Sequence, residues 1–150
     1  MEIYDAEKAA RVWQRVQGTP QNTDDAAVLN AMISGEWIDA ATYLHLSRRY
    51  QGREAAVLRR LFEEEQSHAA CLKGIYTLLT GQRAVTQTVQ PPKEPTETIL
   101  RRCYWREMHC LAQYEQWTAH REYGPVFSRL AHQEQEHCRI LLELLGKLKH

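Results

Sequence analysis

The chain has 150 residues, with 19 basic and 19 acidic side chains and 43% apolar residues. A chain of that length buries a core without staples, and zero formal net charge argues against a nucleic-acid partner, which would call for a basic face. No apolar run approaches the roughly 20 residues of a membrane span, so no membrane partner is expected either.

Residues 1–22 form an N-terminal extension. Within it, Ala9, Val12, Trp13 and Val16 share one face of a short amphipathic helix, and Gly18 to Asn22 reads as a loop. Thr23, ahead of Asp24 and Asp25, reads as the N-cap of a helix over 23–50. Gln51-Gly52 is a tight connection, and a second helix is predicted over 53–80, stopped by Gly81. Residues 81–94 include Val89-Gln90-Pro91-Pro92 and cannot be helical throughout. Pro95 suits a first helical position, so a third helix is predicted over 95–123. Gly124-Pro125 is the next turn, and a fourth helix is predicted over 125–148.

The expected architecture is all-α: one domain over 1–150, with four helices of about 25 residues, each about 40 Å long. Short links make helices 1 and 2, and helices 3 and 4, antiparallel hairpins. The 81–94 crossover, at about 3.3 Å per residue, reaches about 46 Å and can run the length of the bundle.

At heptad spacing the second helix reads Leu58, Leu61, Glu65, His68, Leu72, Ile75, Leu79. The fourth reads Phe127, Leu130, Glu134, His137, Leu141, Leu144, Leu148, the same pattern 69 residues later. The first and third helices match under a shift of 71, pairing Leu29 with Leu100, Glu36 with Glu107 and Tyr43 with Tyr114. The chain therefore reads as a duplicated helical hairpin. Each apolar seam carries charge in its middle, where a bundle core should be hydrophobic.

Four converging buried carboxylates repel one another and need a compensating cation. Two divalent metals balance them, and each Glu-x-x-His places its carboxylate and imidazole on one helix face. A blander alternative makes these residues salt-bridged core groups, or rotates the seam toward water. The repeat argues for the metal site, because both Glu-x-x-His pairs fall at equivalent seam positions. Tyr43 and Tyr114, seven residues after each lone Glu, are candidate hydroxyls supporting the site. Glu63-Glu64, Arg59-Arg60 and Arg101-Arg102 read as solvated helix faces, and the tryptophans as packing or subunit-interface residues.

With Glu36, Glu65-Gln66-Ser67-His68, Glu107 and Glu134-Gln135-Glu136-His137, the chain resembles the ferritin-like di-iron carboxylate proteins of the rubrerythrin and bacterioferritin type. The resemblance covers about residues 23 to 148. It implies a ferritin-like four-helix bundle holding two iron ions, with manganese as the alternative. It further implies Glu36 and Glu107 as terminal ligands, Glu65 and Glu134 as bridges, and His68 and His137 as one nitrogen ligand per metal. Glu115 competes with Glu107, but it precedes Glu134 by only 19 residues, whereas Glu36 precedes Glu65 by 29 and Glu107 precedes Glu134 by 27.

The chain departs from rubrerythrins in lacking a four-cysteine rubredoxin site and in carrying Cys110, a further candidate for supporting the site, where they tend to have a further carboxylate. The four cysteines (Cys71, Cys103, Cys110, Cys138) form no C-x-x-C pair, and Met1-Glu2-Ile3-Tyr4-Asp5 lacks the apolar stretch of a secretory signal, so a cytoplasmic location is expected. The expected function is an oxidoreductase reducing hydrogen peroxide or dioxygen. Iron oxidation and storage is the alternative, and manganese catalase activity or a structural metal bundle are further ones. An enzyme of this kind needs an external electron donor, rubredoxin-like or another reductase, and a homodimer is expected.

Overall fold

The computed structural model describes residues 21–148, and the expected lead helix lies outside them. Four helices make up the described chain: α1 (Gln21–Ser47), α2 (Gly52–Thr80), α3 (Thr96–Trp117) and α4 (Gly124–Gly146). Among the described residues there is no strand. The hairpin mates pack along each other, α1 on α2 and α3 on α4, and the hairpins meet through α1 against α3 and α2 against α4.

Helix ends depart from the sequence reading where local hydrogen bonding favours a tighter turn. The first helix is already formed at Gln21, where the described residues start, so Thr23 lies within it rather than capping it. It stops at Ser47, not residue 50, because the Arg48 and Arg49 amides turn back to the carbonyls of His45 and Leu46 three residues earlier. The third helix stops at Trp117, six residues short of 123. There the His120 amide donates to the Trp117 carbonyl, and His120 Nδ1 accepts from the amides of Glu122 and Tyr123. The link to α4 is thus longer than the two-residue turn expected.

Gly124 opens α4, and its amide donates to the His120 carbonyl at 2.9 Å. A Cβ on Gly124 would sit 2.4 Å from the Thr118 carbonyl oxygen, so only glycine permits this close approach. At the end of α2, Gly81 takes the left-handed conformation (φ 72°) and donates its amide to Thr77.

The crossover runs from the end of α2 back to the C-terminal end of α1. There the Arg49 guanidinium donates to the carbonyls of Pro92 and Glu94 and to the Thr96 hydroxyl. Because α3 starts beside the end of α1, the two helices run antiparallel. The Tyr43–Glu107 and Tyr114–Glu36 contacts confirm that direction.

The apolar core is split in two. One cluster contains Leu29, Ile33, Leu72, Ile75, Tyr114, Phe127 and Leu130. The other contains Tyr43, Leu46, Leu58, Leu61, Leu100, Leu141 and Leu144. In sequence, all six seam Glu and His residues fall between the members of these two clusters on their own helices. The charged layer is therefore closed off at both ends by hydrocarbon.

Candidate metal centre

All six seam residues are buried to 2% exposure or less. Their donor atoms form two overlapping groups, Glu36–Glu65–His68–Glu134 and Glu65–Glu107–Glu134–His137, with the atoms of each group within 4.8 Å of one another. Glu65 and Glu134 belong to both groups, and each group has one carboxylate and one imidazole of its own. Glu115 belongs to neither group.

The imidazoles point Nδ1 into the cluster. His68 Nδ1 lies 2.9 Å from Glu134 Oε1 and 3.3 Å from Glu36 Oε2. His137 Nδ1 lies 2.6 Å from Glu65 Oε1 and 3.4 Å from Glu107 Oε2. Each ring is thus nearest the carboxylate of the opposite Glu-x-x-His helix. The two rings stack with centroids 5.7 Å apart.

These approaches are short, yet none has the angular geometry of a hydrogen bond. Glu36 Oε2, Glu107 Oε2, both oxygens of Glu65 and Glu134, and both Nδ1 atoms are buried without a hydrogen-bond partner. Unpartnered buried polar atoms are rare and costly. Donor atoms gathered within 4.8 Å of one another and left without partners are what ligands around a cation look like. Adjacent ligands about 2.1 Å from an octahedral ion stand about 3 Å apart, close to the nearest nitrogen–oxygen separations here, 2.6 to 3.4 Å. The buried Glu and His groups could therefore hold a metal ion.

The remaining atoms of the terminal carboxylates are tied down. Tyr43 donates to Glu107 Oε1 at 2.6 Å, and Tyr114 donates to Glu36 Oε1 at 2.5 Å. Each hydroxyl crosses from one hairpin to the other, so each tyrosine orients the carboxylate of the opposite helix. Burial and the nearby carboxylates push both phenols well above their ordinary range, which keeps them protonated donors. Cys110 is buried in the apolar cluster beside Tyr114 and belongs to neither donor group. Burial, then the Glu36 charge, raises its thiol and keeps it neutral.

Outside the donor cluster, His68 Nε2 donates to Gln133 Oε1 at 2.7 Å. His137 Nε2 faces Glu64 Oε2 at 3.5 Å. The Gln133 acceptor favours the tautomer that leaves His68 Nδ1 unprotonated for a metal, and the Glu64 charge, without a hydrogen bond, favours a proton on His137 Nε2. Glu64, which reads in sequence as part of a solvated face, is half-buried and reaches the site. The signal for it lay in the repeat: Glu64 and Gln133 are equivalent under the 69-residue shift. Asp39 was also not legible as a site neighbour. It is 1% exposed and accepts from Arg106 Nε at 2.6 Å.

Without metal the cluster balances its charge with protons. Burial and the charges of Glu36 and Glu107 push Glu65 well above the ordinary carboxylate range. Burial raises Glu107 too. Burial works against the charge on Glu36, but Glu65, His68 and Tyr114 together outweigh it and hold that carboxyl below the ordinary range. Burial likewise opposes the charge on His137, yet Glu107 and Glu64 prevail and push it up to about 9.

The tyrosine contacts predict a measurable cost. Tyr43→Phe and Tyr114→Phe should each destabilise the protein by about 1–3 kcal/mol, the usual worth of a buried hydrogen bond to a charged group. Urea unfolding measures this. Tyr50→Phe is the control, because the Tyr50 hydroxyl has no partner, and its loss should cost nothing.

Comparison with protein-family models, curated proteins and solved structures gives no match, so the chemistry has to be read from the residues themselves.

Proposed function

We propose that this chain is a di-metal carboxylate oxidoreductase of the ferritin-like, rubrerythrin/bacterioferritin type, reducing hydrogen peroxide or dioxygen. The observation that carries the reading is the set of buried, unpartnered donor atoms in two groups that share Glu65 and Glu134. In this reading Glu36 and His68 hold one iron, Glu107 and His137 hold the other, and Glu65 and Glu134 serve both. Two ferrous ions bound there supply two electrons, so that one hydrogen peroxide and two protons become two waters.

The chain's own residues set the conditions for that step. Tyr43 and Tyr114 keep the terminal carboxylates oriented, and the apolar clusters on either side keep bulk water out. The buried thiols of Cys103 and Cys110 are pushed far up by burial and stay protonated, so they offer no internal reductant at neutral pH. Re-reduction is assigned to an external donor, a rubredoxin-like protein or another reductase. Among the described residues no helix is long and apolar enough to cross a membrane.

Rapid mixing of the ferrous-loaded protein with peroxide and, separately, with dioxygen tests this reading. The expected result is oxidation of two ferrous ions per peroxide, faster than with dioxygen. Faster reaction with dioxygen, with ferric product accumulating beyond two per chain, would replace the peroxidase reading with iron oxidation and storage.

A further inference from the structure

The duplication makes the inner donor set symmetric and leaves the surrounding layer unequal. His68 and His137 are equivalent under the 69-residue shift, and so are the groups behind them, Glu64 and Gln133. The pairing is reciprocal across the bundle: Gln133 on α4 backs His68 on α2, and Glu64 on α2 backs His137 on α4. One imidazole therefore hydrogen-bonds a neutral amide, and the other faces a carboxylate 3.5 Å away through charge rather than a hydrogen bond.

That difference acts on the metal through the ring. A carboxylate behind an imidazole N–H increases the basicity of the opposite nitrogen and places extra negative charge near the cation. An amide fixes the ring, here at 2.7 Å, without adding charge. Glu64 is 30% exposed, so water screens part of its effect but does not remove it. Arg60 Nε lies 3.7 Å from the same Glu64 oxygen, and at 56% exposure its charge is screened by water more strongly than that of Glu64, so part of the carboxylate's charge still acts on His137.

We infer that the two metal positions are unequal, with Glu64 acting as a positioning residue that makes the His137 position fill before the His68 position. This rests on the two-metal reading above and adds an order of filling to it. Replacing such a supporting carboxylate typically changes metal affinity by 10–100-fold, and partial exposure puts the expected preference near the lower end, about tenfold.

Swapping the two supporting groups tests this without changing the net charge. Crystals of the full chain loaded anaerobically with one equivalent of cobalt(II) per chain give the occupancy of each position from anomalous scattering at the cobalt edge. In the natural protein the peak beside His137 should exceed the one beside His68 by about tenfold. The double variant E64Q/Q133E should reverse the preference, and E64Q alone should even it out. Equal peaks in the natural protein, or a preference that stays at His137 after the swap, would overturn the inference while leaving two-metal binding intact. Failure of the natural protein to take up cobalt at either position, even in excess, would instead remove the two-metal reading itself. Helix content and urea midpoint, measured on each variant, separate misfolding from a change of preference. Should the double variant misfold, Q133E alone decides the matter, since it should also bring the two peaks to near equality.

Discussion

Glu65→Gln is expected to make the metal-free protein more stable and to abolish its binding of two metals. Glu65 is fully buried, has no hydrogen-bond partner for either oxygen, and faces the charges of Glu36 and Glu107. A carboxylate charged in such a place is a cost to folding that a bound cation or a proton offsets. Glutamine keeps the shape and removes the charge, so the metal-free variant should gain about 1–3 kcal/mol at pH 8. For a chain of this size that is a rise of about 3–10 °C in melting temperature. The gain should shrink toward pH 5, where Glu65 is protonated in the natural protein and already resembles an amide. Glu36→Gln should weaken metal binding less, because Glu36 belongs to only one donor group. A Glu65→Gln variant that is less stable at pH 8 and still binds two metals would show that this carboxylate is a satisfied structural group.

The metal-free protein should also lose stability as pH rises from 6 to 9. Glu65 has its folded-state pKa raised well above the ordinary carboxylate value, so the folded form binds the proton more tightly than the unfolded chain does. Its stabilisation is complete below the unfolded value and is lost as pH climbs through the folded one. His137, raised from 6.5 to about 9, has the same sign: its contribution is full below about pH 6.5 and fades as pH rises through about 9. Each such proton contributes about 1.4 kcal/mol per pH unit where the two states differ by one proton. Glu36 is lowered and acts in the opposite sense, but only in acid, as pH falls through its folded-state value. Saturating metal should reverse the slope, because metal must displace those protons and therefore binds more tightly as pH rises. Urea unfolding at several pH values, with and without manganese(II), measures both slopes. A metal-free protein whose stability is flat or rising over this range would mean that its carboxylates do not share protons.

The features of the site that were legible in the sequence share one physical property. A Glu or His inside an apolar heptad seam is an energetic anomaly, and a repeat of the anomaly at shifts of 69 and 71 makes it a pattern. The structure brings together the six residues this pattern singled out, and it gives Tyr43 and Tyr114 carboxylate partners. Glu64 and Gln133 escaped because each lies one residue from the seam, about 100° round the helix, where a polar side chain normally meets water. The repeat pairs them, and the cross-bundle placement of the opposite histidine shows what each faces. Asp39 and Arg106 escaped because an ion pair between helices has no spacing signature. Helix ends were the least legible, since the stop at Trp117 depends on His120 accepting two amides and on Gly124 lying against the Thr118 carbonyl.

The most direct test of the central claim is the stoichiometry of an anaerobic ferrous titration of the metal-free full chain, followed by equilibrium dialysis. Two donor groups that share Glu65 and Glu134 predict tight uptake that ends at two equivalents per chain, with proton release in each step. Uptake ending at one equivalent, or no tight uptake at all, would contradict a paired metal centre and leave the buried carboxylates and imidazoles as a proton-sharing core.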